Sequence, residues 1–77
     1  MKYLASLTLN NYSVSIIASN NGAVELAKGE ELGLLNVDNP RTVVDTIGSI
    51  GGIESVIVKD LHTNEILLTS ELFVPEE

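Results

Sequence analysis

The stretch from Asp38 to Gly52 constrains the fold most, because it alone reads as a helix with a start, an apolar stripe and a stop. Asparagine at 39 offers a side-chain oxygen to an orphan backbone N–H, and Pro40 sits where a missing N–H costs nothing. Val43, Ile47 and Ile50 recur at helical spacing with Val44 beside them, while Thr42, Asp45, Thr46 and Ser49 take the opposite side. The segment is rich in β-branched residues, and Gly48 costs about 1 kcal/mol relative to alanine in a helix interior. About three turns of such sequence do not persist alone. The stripe therefore needs a sheet to cover, and Gly51-Gly52, or already Gly48, ends the helix.

Candidate strands lie on both sides. Lys2–Leu9 alternates, with Tyr3, Ala5, Leu7 and Leu9 on one face; Asn10-Asn11 then reads as a two-residue turn. Tyr12–Ser19 repeats the alternation, setting Tyr12, Val14, Ile16 and Ala18 against Ser13, Ser15, Ile17 and Ser19. Asn20-Asn21-Gly22 carries the Asn-Gly hairpin signal, which predicts a third strand over Ala23–Lys28. Glu30–Val37 reads as an irregular connection whose Leu32, Leu34 and Leu35 require cover. Beyond Gly52, Ile53–Lys59 is apolar on both faces, as in a central strand. Asp60–Asn64 has hairpin-loop length, and Glu65–Val74 reads as the last strand. The expected fold is α+β: one small domain over residues 1–77, with an antiparallel sheet of about five strands and one short helix packed on one face, in the order β-β-β-α-β-β.

Composition narrows the function more by exclusion than by indication. Eleven acidic residues against four basic ones give a formal charge of -7, a sign that repels phosphate backbones and anionic lipid. Direct nucleic-acid or membrane binding is not expected, and a basic protein surface is the natural complement. No cysteine is present, which removes disulfides, thiolate zinc sites and cysteine nucleophiles. No apolar run approaches the length of a membrane span, and the start of the chain turns polar too soon for a secretory signal, so a cytoplasmic setting is expected. A chain of this size buries only about 60% of its extended surface on folding, so self-association, as a homodimer or higher oligomer, is physically welcome.

Candidate chemistry is sparse. His62 is the only histidine and sits in a turn without a second nitrogen or sulfur ligand nearby, which makes it an exposed loop residue rather than a metal ligand or general base. The glycines of Gly48-Ser49-Ile50-Gly51-Gly52 follow a helix instead of preceding one, so they do not build a phosphate cradle. Asp38, Asn39 and Asp45, or the adjacent Glu30 and Glu31, lack the ladder of a calcium loop. No catalytic residue, metal or cofactor is expected, and the chain does not read as an enzyme; a small enzyme or ligand carrier is the third alternative, one that requires a closed cavity. Two contact surfaces remain. Glu54, Asp60, Glu65 and Glu71 form an acidic region suited to an inhibitor or adaptor that docks on a basic partner. Leu4, Ile17, Leu67 and Phe73 fall on the sheet face that a single helix leaves bare, a surface suited to a homo-oligomeric subunit.

Overall fold

The computed structural model describes residues 2–70. Strand β1 (Tyr3–Thr8) and strand β2 (Tyr12–Ala18) form an antiparallel hairpin, followed by helices α1 (Asn21–Gly29), α2 (Glu31–Leu34) and α3 (Pro40–Gly48), then β3 (Ile53–Asp60) and β4 (Ile66–Thr69). The sheet order is β1-β2-β3-β4 with every neighbouring pair antiparallel. The three helices are thus one long excursion between two adjacent strands. Its base is closed where the Ser19 N–H donates to the Gly52 carbonyl at 2.7 Å.

The expected five-stranded, one-helix arrangement is overturned: among the described residues the sheet has four strands, and three helical segments precede the second hairpin. The difference arises at Asn20. Its side-chain oxygen accepts from the Ala23 N–H at 2.8 Å, so it caps a helix instead of opening a hairpin. The residues that follow are mostly strong helix formers, alanine, glutamate, leucine and lysine, with valine the one β-branched residue among them. Ala23, Val24 and Ala27 turn one face inward at helical spacing, and Lys28 lies in the last turn, where a cation suits the negative end of the helix dipole. The short helix α2 occupies the connection expected to be irregular. It buries Leu34 but leaves Leu32 84% exposed.

Helix α3 falls where the sequence places it. The Asn39 side chain accepts from the Arg41 N–H at 2.9 Å, Pro40 opens the helix, and the helix ends at Gly48. Val43 and Ile47 are fully buried, and Val44 and Ile50 pack at the margin of the core. Helix α1 covers β1 and β2 while α3 covers β3 and β4, so the two together roof one face of the sheet. Under that roof Leu7, Val14, Ile16, Val56 and Val58 meet Ala27, Leu34, Val43 and Ile47 in a single core. Tyr12 is buried in the same layer, and its hydroxyl donates to the Asp38 carbonyl.

The turns depart from expectation in detail. Neither Asn10 nor Asn11 adopts a left-handed conformation. Instead the Asn10 N–H donates to the Leu35 carbonyl at 3.0 Å and its side-chain amide to the Asn36 side chain, which ties the first hairpin to the connection after α2. The last described strand is short and carries a register shift against β3 between Val58 and Lys59. The remainder of the expected final strand, including Glu71 and Phe73, lies outside the described residues.

Candidate functional site

The sheet face opposite the helices has no cover among the described residues. Cross-strand register sets its side chains in rows: Leu4 beside Ile17 and Ser55, then Ser6 beside Ser15, Ile57 and Thr69, then Thr8 beside Ser13 and Lys59. These positions belong to one face because strand side chains alternate, and their neighbours Val14, Ile16, Val56 and Val58 point into the core. In a chain with a formal charge of -7, these three rows carry a single charge, Lys59. A shallow open groove runs over the face, lined mainly by Leu4, Ser6, Ser15, Ile17 and Ile57. At one end of the sheet Lys2 and Glu54 form an ion pair that spans β2.

Carboxylates populate the opposite layer and the turns. Glu25, Glu30, Glu31, Asp38 and Asp45 lie on or beside the helices, with Lys28 and Arg41 as the cations there. Arg41 and Asp45 make an exposed pair one turn apart at 3.5 Å, a contact worth a few tenths of a kcal/mol, about 0.3–0.5 at most.

Of the four acidic residues proposed from the sequence, Glu71 lies outside the described residues, and the other three do not form one cluster. Glu54 and Asp60 stand at opposite ends of β3, on the order of 20 Å apart at about 3.3 Å per residue. Asp60 and Glu65 adjoin, since the Asp60 N–H donates to the Glu65 carbonyl at 2.8 Å. Asp60 also has a local task. One carboxylate oxygen accepts from the backbone N–H groups of His62 at 2.8 Å and Thr63 at 3.0 Å, holding the turn, and Asn64 completes it with φ 65°. Those two donors, Thr63 first, pull the Asp60 carboxyl below its ordinary range. His62 is exposed in this turn, and among the described residues no group of histidine and carboxylate side chains has metal-ligand geometry.

Of the apolar surface residues proposed from the sequence, Leu4 and Ile17 are direct cross-strand neighbours. Leu4 is 78% exposed and Ile17 half-buried. Leu67 lies on β4, 42% exposed and separated from them by β3. Phe73 is outside the described residues. Sequence reasoning left out Ile57, which bridges the gap between Ile17 and β4, although the alternation of β3 already set Ile57 apart from Val56 and Val58. The run of serines at 13 and 15 was a second available sign that this face is uncharged.

Comparison of the chain with protein-family models, with curated proteins and with solved structures finds no match in any of the three. No helix among the described residues is long and apolar enough to cross a membrane. The class defined by fold and site is an α+β domain whose described residues roof one sheet face and leave the other open.

Proposed function

We propose that this chain is a non-enzymatic, cytoplasmic protein-interaction domain whose contact surface is the open sheet face. One observation carries the reading: among the described residues Leu4 is exposed and Ile17 and Ile57 are half-buried on a face whose three rows hold no carboxylate, Glu54 meeting Lys2 at its end, while the chain as a whole is strongly acidic. Apolar groups on an exposed sheet face gain from being covered, and because its one charge, Lys59, stands in the end row, the other two rows can be desolvated against a partner without stranding a charge. The serines and threonines interspersed among them, Ser6 and Ser15 in the middle row and Thr8 and Ser13 in the end row, supply uncharged hydrogen-bonding groups to such a contact.

A second reading has its own support in the carboxylates of the helical layer and turns. Docked on a basic protein, that side would gain association rate and orientation through charge. The two readings separate with paired baits in extracts of the source cell. Wild-type chain is expected to retain a partner that a chain carrying both Ile17→Lys and Ile57→Lys loses, while Glu54→Gln with Glu65→Gln leaves retention unchanged. Retention that survives the lysines and disappears with the glutamines contradicts the face reading in favour of acidic docking.

A further inference from the structure

The outer edge of β1 is a main-chain surface of a specific kind. The Leu9 N–H donates to the Tyr12 carbonyl at 2.9 Å, which marks Leu9 and Tyr12 as a hydrogen-bonded pair of the first hairpin. Antiparallel ladders alternate bonded and non-bonded pairs. Leu7, Ala5 and Tyr3 therefore bond inward to β2, and the N–H and C=O groups of Leu4, Ser6 and Thr8 point away from the sheet. Among the described residues no strand pairs with that side of β1.

Natural sheets blunt such an edge with charge, proline, bulges or brevity. Strand β1 uses none of these. Its six residues, YLASLT, are uncharged and free of proline, and its pairing with β2 runs without a register shift. The other edge, β4, is shorter and carries the shift.

We infer that β1 pairs antiparallel with β1 of a second copy of this chain, joining two four-stranded sheets into one continuous sheet. Ser6 is the middle of the three outward-bonding residues, so a two-fold axis at Ser6 pairs Ser6 with its own copy and Leu4 with Thr8 in both directions. That register keeps both helical layers on the same side and both open faces on the other. No carboxylate lies in β1, so pairing along this edge sets no carboxylate of the strand against its copy although each chain carries a formal charge of -7.

Area also favours a second copy. Four strands about 4.8 Å apart and about 20 Å long present a projected face of roughly 400 Å². A stable protein contact covers about 800 Å² per partner. Two faces joined edge to edge reach that size; this advantage of area rests on the proposed contact function, whereas the outward-facing ladder of β1 does not.

Sedimentation of the full chain across a concentration series tests the pairing, together with Ser6→Pro, Ser6→Cys and Ile57→Lys. Proline at position 6 removes an outward N–H and no inward one, a substitution edge strands accept. The wild type is expected to be a dimer that Ser6→Pro weakens by about tenfold or more and that Ile57→Lys leaves intact. Because opposed bonded residues stand about 5.5 Å apart between Cα atoms, within disulfide range, Ser6→Cys should oxidise to a linked dimer. Glu25→Cys, on the helical layer, should not. Should Ser6→Pro fail to fold, the cysteine pair decides alone. A monomeric wild type, a dimer lost through Ile57→Lys but kept in Ser6→Pro, or equal cross-linking at positions 6 and 25 each overturns the edge pairing. The second of these outcomes leaves the open-face reading standing.

Discussion

Truncating Ile47 to alanine is expected to remove about 2–5 kcal/mol of stability, the range for deleting a buried isoleucine whose surroundings cannot collapse into the gap. Ile47 is fully buried in the last turn of α3, within the larger core cluster, which unites the helical layer with β2 and β3. The cost is large because the total is small. A domain of this length holds on the order of 5–10 kcal/mol in all, with no disulfide to constrain the unfolded chain. A melting-temperature drop on the order of 8–40 °C follows at about 4–8 °C per kcal/mol for a domain of this size. Leu32→Ala is the matched control, since Leu32 is 84% exposed and its truncation should stay within about 0.5 kcal/mol. Thermal melts of the two variants side by side check the expectation, and equal losses would mean that α3 does not anchor the core.

Substituting Gly52 by alanine is expected to cost about 2–3 kcal/mol, for two separable reasons. The residue has φ 100°, a backbone conformation that side-chain-bearing residues seldom adopt. A Cβ placed there would also stand 2.7 Å from the Asn20 side-chain nitrogen and 3.0 Å from the Ala23 Cβ. Asn20 is the cap of α1, so the added methyl strains the junction and pushes the cap off its helix. The same residue accepts from Ser19 at the base of the helical excursion, and one small position therefore couples the start of α1 to the start of β3. Gly51→Ala meets nothing within 4 Å and lacks the positive φ, so it should be nearly neutral. Urea midpoints for the two alanine variants distinguish these cases. In a double-mutant cycle, Asn20→Ala with Gly52→Ala should cost less than the sum of the two, because both damage the same cap.

These two positions also show what the sequence discloses and what it withholds. Helix α3 was legible because Asn39, Pro40 and the Val43 and Ile47 stripe are independent signals that agree. Strands β1 and β2 were legible because their alternation runs long enough to exclude a helix. The error at Ala23–Lys28 came from weighing Asn21-Gly22 as a hairpin turn above the propensities of the residues behind it. A stretch of six residues fits either period, and the deciding contact is tertiary: Asn20 packs on Gly52, far along the chain. The same non-locality hid the candidate site. That Leu4 and Ile17 share a face could be read from their strands, but the place of Ile57 in that face required the register of β2 with β3. The scattering of Glu54 from Asp60 and Glu65 likewise follows from strand length, which a view of the chain as an acidic carboxy-terminal third does not resolve.

The central claim is that one face of this sheet is roofed and the other open, and adjacent residues of β3 put it to the test. Val58 is fully buried in the core under the helical layer, whereas Ile57 lies half-buried on the opposite face. Urea unfolding of Val58→Lys and Ile57→Lys measures both sides of the sheet with the same substitution. The account predicts that Val58→Lys loses most or all of the folded state, since it buries an unpaired ammonium, and that Ile57→Lys shifts the midpoint by no more than about 1 kcal/mol. Comparable collapse of both variants would contradict it, because it would mean that the chain covers both faces itself.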